Sequence, residues 1–324
     1  MNTNKSELPG GLSNRDPFNQ KRGSIIRNYF LSFKRVQIKR YFPLFFLPTV
    51  IAFAIGFLIP FLRGIYLSFC EFRNINSAKF IGFENYVSAL SDKGFLRSFA
   101  YTAAFTIISV VLINVLAFAV AYVLTRGIRG SNIFRTVFFM PNLIGGIVLG
   151  YIWQLLINGV LQWYVGQDIT YSTTYGFWGL VILMCWQQIG YMMIIYIAGL
   201  QAVPEDMLEA ARIDGATPWQ TLWKVTIPNV MPSITICMFL TLTNGFKLYD
   251  QNLALTDGLP FIINPDGSTI KTTEMLALNI VSTFNGSGLH SRGTAQAKAV
   301  LFFILVAAMG LIQLRATRSK EVQQ

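Results

Sequence analysis

Six stretches of this chain, residues 43–69, 99–124, 133–157, 177–202, 230–246 and 295–314, are long and apolar enough to cross a bilayer as helices. The hydrocarbon core is about 30 Å thick and takes roughly 20 apolar residues at helical rise. Within it an unpaired backbone N–H or C=O costs several kcal/mol, which a helix avoids by pairing its own groups. The fold class expected is therefore an all-α integral membrane protein with six transmembrane helices. The rest of the composition agrees: 53% of residues are hydrophobic and 13% charged, with a mean hydropathy of +0.49, whereas soluble domains are roughly one quarter charged. The fifth stretch is the shortest, is interrupted by Thr and Asn, and is expected to extend outward past Leu248.

Several function classes fall away. The formal net charge is +11, but the basic residues form no single stripe of the kind that tracks nucleic acid. Cys70, Cys185 and Cys237 sit in apolar runs without CxxC spacing and read as small buried hydrophobes. With His290 as the one histidine, no metal cluster is expected. There is no GxxxxGK[ST], so no phosphate cradle for ATP, and no HExxH or GxSxG to suggest an enzyme. The first apolar run begins too far into the chain for the short basic region of a cleavable signal peptide, so the N-terminal tail is expected to be retained.

The basic residues follow topology instead. Nine Lys and Arg lie between Lys5 and Arg40, and Arg126, Arg129 and Arg135 connect the second and third stretches. Arg212 and Lys224 lie between the fourth and fifth, and Arg315, Arg318 and Lys320 at the end. The alternate connections hold only Arg73, Lys79, Lys93, Arg97, Lys271 and Arg292 over longer lengths. The positive-inside rule then puts both termini in the cytoplasm. This divides the chain into a basic tail (1–42), a transmembrane domain (43–316) and a short C-terminal tail (317–324). In the first tail, Ile25, Ile26, Tyr29, Phe30 and Phe33 recur at helical spacing with Arg27, Lys34, Arg35 and Lys39 mostly elsewhere. That pattern suits either an interfacial helix on anionic headgroups or a plain topological anchor.

One cytoplasmic connection, 204–228, is polar and far longer than a turn requires. Pro204 with Glu205 and Asp206 reads as a helix start, with Pro204 at the first helical position and acids against the positive end of the macrodipole. Gly215 suits a left-handed C-terminal cap, Thr217-Pro218 a second start, and Ile227-Pro228 a second stop. Two short helices at the membrane surface result. Ala210 and Ala211 would let a partner's backbone approach closely, and Glu209 and Asp214 could meet its basic groups. The alternatives are a hairpin packed on its own protein or a DNA-binding helix-turn-helix. The second is disfavoured because acids outnumber the two basic residues, Arg212 and Lys224.

Polar side chains within spans are costly and mark candidate pathways. The fourth stretch offers Trp186, Gln187, Gln188 and Tyr191, and the fifth offers Thr241, Thr243, Asn244 and Lys247, followed by Tyr249 and Asn252. Amides, hydroxyls and aromatic faces suit sugars. Each of these residues could instead make interhelical bonds or belong to the aromatic belt. Lys247 could snorkel to the outer edge, or attract an acidic saccharide.

Glu209-Ala210-Ala211, Asp214-Gly215-Ala216, Trp219 and Pro228 resemble the EAA loop of permease subunits in bacterial ATP-binding-cassette importers, particularly the carbohydrate branch. Leu222 and Val225 stand where that family more often has Phe and Ile. Phe80-Ile81-Gly82 with Asn85-Tyr86 resembles the FxGxxNY segment of maltose-permease-like subunits. Phe134-Arg135-Thr136, Pro141 and Trp153 resemble the family's third span, and Gly293, Ala295, Ala297 and Ala299 the start of its last. Tyr101 replaces a usual Asn, Gly145-Gly146 occupies the place of a common second proline, and the large periplasmic insertion of the enterobacterial maltose subunit is absent.

The resemblance implies a type I importer permease in the bacterial inner membrane, non-catalytic, with no cofactor of its own. It also implies a second related permease, an ATPase dimer that binds ATP and Mg, a periplasmic or lipid-anchored solute-binding protein, and a sugar or oligosaccharide substrate, an alginate-type uronate oligomer among the candidates. Glu209, Ala210, Ala211, Asp214, Gly215, Ala216 and Pro228 would couple to the ATPase. Trp186, Gln187, Gln188, Tyr191, Asn244, Lys247 and Tyr249 would line the path. A permease for another solute class, and more remotely a membrane enzyme or stand-alone channel, are the alternatives.

Overall fold

The structure, a computed structural model, describes residues 41–318 apart from 45, 266, 268 and 289. The amphipathic pattern between Ile25 and Lys39 lies outside the described residues. The chain divides into two units, Met1–Arg63 and Gly64–Gln324. Helix α1, Tyr41–Leu67, runs through that boundary and widens into a π-turn at Ala54–Leu58. Its apolar side chains, among them Leu44, Ile55 and Leu62, are exposed, as suits a helix whose solvent is lipid.

The second unit begins at the end of α1 with two short paired strands, β1 (Cys70–Glu71) and β2 (Lys79–Phe80), followed by α2 (Glu84–Ser91). Its centre is two long helices, α3 (Lys93–Leu124) and α6 (Thr173–Gln201). The core of this unit runs along their shared seam, with Phe105, Ile113 and Ala117 from α3 against Leu180, Leu183 and Met192 from α6. Between them come α4 (Ser131–Phe139) and α5 (Gly146–Tyr164). After α6 follow α7 (Glu205–Ile213) and α8 (Pro218–Phe246). A short helix α9 (Asp250–Leu255), a hairpin of β3 (Phe261–Ile263) and β4 (Thr269–Lys271), and α10 (Leu276–Phe284) lead to α11 (Ser291–Arg318). Among the described residues, six helices meet the length and apolarity of a membrane span: α1, α3, α5, α6, α8 and α11.

Polar links tie the three central helices together. Tyr196 Oη of α6 donates to Asn114 Oδ1 of α3 at 2.6 Å, Asn114 Nδ2 donates to Thr241 Oγ1 of α8 at 3.0 Å, and Thr241 returns its proton to the Cys237 carbonyl. In lipid such bonds help set helix register because the hydrocarbon offers no competing partner.

Three expectations about helix ends are corrected. The helix of the fifth stretch does not extend past Leu248; it ends at Phe246, with Lys247 as its C-cap residue. The third apolar stretch is not one helix. After α4 a 3-10 turn holds Pro141, and Ile144 and Gly145 are extended before α5 restarts and alone forms the span. The Ile144 carbonyl released by this break accepts from Gln187 Nε2 at 3.4 Å. The break can lie close to α6 because Gly190 has no Cβ, which would overlap the Phe138 carbonyl.

Nor does Pro228 stop a helix. Leu222–Thr226 is a π-turn, and the helix continues through Pro228 and Pro232 to Phe246. The wider turn shifts the hydrogen-bond ladder by one residue, so that Ile227 N–H bonds the Leu222 carbonyl and the ring of Pro228 enters where the ladder is already displaced. The Asn229 side-chain amide reaches the Val225 carbonyl at 2.7 Å.

Candidate functional site

The polar island folds as a hairpin capped on both sides of its bend. Pro204 takes the N-cap position, one residue earlier than its sequence position suggested, with Glu205 and Asp206 in the first turn of α7 and Arg212 in the last. Each charge thus complements the helix dipole. At the C-terminus Ala216 N–H bonds the Ala211 carbonyl at 2.9 Å and Gly215 N–H bonds the Arg212 carbonyl at 3.1 Å. This is the paired pattern of a Schellman cap, and it requires the left-handed residue supplied by Gly215 at φ +74°. Asp214 is the C-cap residue. Thr217 then caps α8 in a reciprocal box: its Oγ1 accepts from Gln220 N–H at 3.3 Å, and Gln220 Oε1 accepts from Thr217 N–H at 2.9 Å.

Glu209, Ala210 and Asp214 are exposed, and Ala211 and Ala216 half-buried. Ile213 is 86% and Trp219 67% exposed beside them, while Pro228 lies half-buried beyond the π-turn. So the hairpin combines helix ends capped on either side of Gly215 with an uncovered surface of small, acidic and large apolar side chains. A loop serving only to reverse the chain has no need to leave Ile213 in the open; Trp219 also borders an apolar cleft between α3 and α8. The exposure of Ile213 was absent from the sequence reading, which weighed Ala210 and Glu209; its position in the last turn of α7 is the signal that could have found it.

Of the seven pathway candidates, four converge. Gln188, Asn244, Lys247 and Tyr249 line a pocket of about 360 Å³, together with Asp250 and Gln251. Asn244 Nδ2 donates to Gln188 Oε1 at 3.3 Å. Gln187 lies next to this group, accepting from Gln251 Nε2 at 2.8 Å. Trp186 and Tyr191 fall outside the pocket: Trp186 meets Trp153 edge-on at 5.7 Å, and Tyr191 packs against the core. Thr243 bonds back to the Phe239 carbonyl, and Asn252 is fully buried between Thr256, Thr273 and Met275. Asp250 and Gln251 were missed because they follow the span in sequence and reach the pocket only through the turn into α9. The pocket offers an ammonium, a carboxylate, three amides and a phenol, enough donors and acceptors to exchange with sugar hydroxyls.

A second polar cluster was missed entirely. Lys298 of α11 is 1% exposed, and its Nζ donates to Asp92 Oδ2 at 2.6 Å, Asn279 Oδ1 at 2.9 Å and Thr283 Oγ1 at 2.7 Å. Phe95 lies 5.3 Å below the ammonium, and Asn279 in turn donates to Glu274 at 2.7 Å. Asp92 also caps α3 by accepting from Gly94 N–H. The same end of the molecule holds the Gly82-to-Tyr86 segment. Asn85 Nδ2 donates to the Ser68 and Cys70 carbonyls, both at 2.9 Å, and a Cβ on Gly293 would strike Asn85 and the Cys70 carbonyl. Asn85 and Gly293, distant in sequence, are therefore one packing unit.

Comparison with known proteins places this geometry. Residues 129–317 match the family described as binding-protein-dependent transport system inner membrane component. The chain is 41% identical over 289 residues to the probable starch degradation products transport system permease AmyD of Thermoanaerobacterium thermosulfurigenes, covering 86% of this chain and 94% of that protein. It is 26% identical to the multiple sugar-binding transport system permease MsmF of Streptococcus mutans, over 86% and 95% of the two chains. Among solved structures, a bacterial ABC transporter involved in the import of the acidic polysaccharide alginate shares the fold, with a TM-score of 0.69 at 19% identity over 87% of this chain and 97% of that one. The capped hairpin between α6 and α8 lies within the matched segment, and the chain belongs to the family of binding-protein-dependent transport system inner membrane components.

Proposed function

We propose that this chain is the membrane-spanning permease subunit of an ATP-driven importer of sugars or oligosaccharides, forming half of the pathway and coupling to a cytoplasmic ATPase through the hairpin of α7 and the start of α8. The observation that carries the coupling role is the hairpin itself, capped at both sides of Gly215 yet leaving Ile213 and Trp219 uncovered. A rigid lever with an apolar contact surface can transmit motion, whereas a loose loop would absorb it. Both termini and the hairpin lie in the cytoplasm by the loop-by-loop excess of Lys and Arg. The remaining partners are a second related permease, an ATPase dimer that holds ATP and Mg, and a solute-binding protein on the outer side. The relatives named for starch-degradation products and multiple sugars support a carbohydrate substrate.

The path runs past Gln188, Asn244, Lys247 and Tyr249, with Gln187 behind them. Within that pocket Asp250 balances Lys247, which favours a neutral oligosaccharide over a uronate. Uptake that is inhibited by acidic oligosaccharides and untouched by neutral ones would reverse that preference.

The coupling role is tested by Ala210→Trp and Gly215→Pro in the importer reconstituted with its partners. Both proteins should insert and assemble, ATP hydrolysis should continue, and sugar uptake per ATP should fall at least about tenfold, the equivalent of roughly 1.4 kcal/mol of lost coupling. Unchanged uptake in both variants would refute the coupling role.

A further inference from the structure

Two cavities adjoin where the spans meet the hairpin. One, of about 690 Å³, lies toward the membrane interior and is walled by Val115, Phe118 and Ala119 of α3 and by Trp223, Ile227 and Ile234 of α8. The other, of about 650 Å³, lies toward the hairpin and is lined by polar groups including Thr125, Gln201, Arg212 and Thr221. Tyr122, Arg126 and Pro218 line both, so the apolar cleft and the polar one meet at these three residues. Arg126 stands at the junction, with Nη2 donating to Tyr122 Oη at 2.7 Å and its guanidinium carbon 4.5 Å from the Tyr122 ring centroid. That contact uses one of the five guanidinium donors.

The level of this seam is fixed by sequence. Helix α3 ends its apolar run at Leu124, immediately before Arg126, and α8 begins at Pro218. The seam therefore sits where hydrocarbon gives way to headgroups, and the edge-on pair Trp219 and Trp223 beside it is the aromatic signature of that level. Glu205 is the single carboxylate in the lining of the two cavities, against the two arginines, so the polar chamber carries net positive charge. An apolar trough meeting a cationic chamber at the interface matches an amphiphile with a hydrocarbon tail and an anionic head. A sugar would find few hydroxyl partners in the trough, where Asn114 and Tyr196 are already bonded to each other and to Thr241, and a simple anion would leave it empty.

We propose that these cavities together hold one anionic phospholipid of the cytoplasmic leaflet, with an acyl chain in the trough between α3 and α8 and its phosphate against Arg126 and Arg212. The head then bridges α3 to α7 across the start of α8, tying the hairpin to the spans. The choice of leaflet rests on the orientation proposed above. The lipid contact itself does not depend on transport, and its test reads lipid directly.

The full-length chain is placed in nanodiscs of phosphatidylcholine carrying equal mole fractions of acyl-brominated phosphatidylglycerol or acyl-brominated phosphatidylcholine. Fluorescence quenching at the trough is taken as the difference between the wild type and the Trp219→Phe, Trp223→Phe chain. Phosphatidylglycerol should be preferred, by about fivefold for each arginine that meets the phosphate. Arg126→Gln with Arg212→Gln should remove the preference, and Arg126→Lys should keep most of it. Raising salt on the wild-type chain should weaken the preference, which gives a test that needs no variant to fold. Equal quenching by the two lipids would mean non-selective annular lipid, absence of quenching would mean that no acyl chain enters the trough, and a salt-independent preference would mean that charge is not the cause. Each of these three results overturns the proposal.

Discussion

The two ends of this molecule use polar residues in opposite ways. At the end of α6, the hairpin satisfies its own backbone through caps and leaves side chains such as Ile213, Trp219 and Glu209 exposed. At the other end, Asp92, Asn279, Thr283 and Lys298 are turned on one another until the ammonium has three acceptors and the lysine is 1% exposed. The first arrangement makes a rigid surface with unused contact area. The second uses its contacts internally and fixes α11 to α3 and α10. One region should therefore be sensitive in coupling and tolerant in stability, and the other the reverse.

The sharpest test of that contrast is Asp92→Asn. The amide can still cap α3 but no longer carries the charge that faces Lys298. Stranding a buried lysine typically costs about 3–5 kcal/mol. Because the Asp92 side chain is 38% exposed and Asn279 and Thr283 remain as acceptors, a loss of roughly 2 kcal/mol is expected in detergent unfolding. Adding Lys298→Met should restore most of it, since removing both charges removes the penalty. A double variant as unstable as the single one would show that the ion pair is not what holds this end together.

A smaller effect is expected at the hairpin. Thr217→Ala removes one half of the capping box and should cost about 1 kcal/mol of local helix stability. Hydrogen exchange should quicken at Gln220 and Thr221 while the unfolding midpoint of the whole chain stays put. A global shift as large as that of Asp92→Asn would erase the distinction between the two ends.

What could be read from the sequence follows the range of the interactions involved. The spans were legible because lipid imposes a length and a polarity on each helix separately. The bend at Gly215 was legible because caps are local: Gly215, Thr217 and Pro218 are neighbours in sequence. Pro228 misled because the rule for residues before proline assumes an ordinary helical ladder, and the π-turn at Leu222–Thr226 displaces that ladder just upstream. Lys298, a lysine inside the sixth apolar stretch, was a signal by the cost of a charge in a span, but its partners Asp92 and Asn279 come from other elements and no sequence spacing links them to it. The pathway was half legible: Gln188 and Asn244 stand out as amides in apolar spans, whereas Asp250 joins them only through the turn after α8.

The central claim, that the hairpin is the surface on which an ATPase subunit acts, is open to one direct measurement. The three native cysteines are all buried, so single cysteines introduced at Ala210 and, at the opposite end, at Phe261 can be labelled selectively with a maleimide-benzophenone in the assembled importer. On illumination, Ala210→Cys should capture the ATPase subunit and Phe261→Cys should not. Capture of the ATPase from Phe261→Cys, or its absence from Ala210→Cys, would contradict the account.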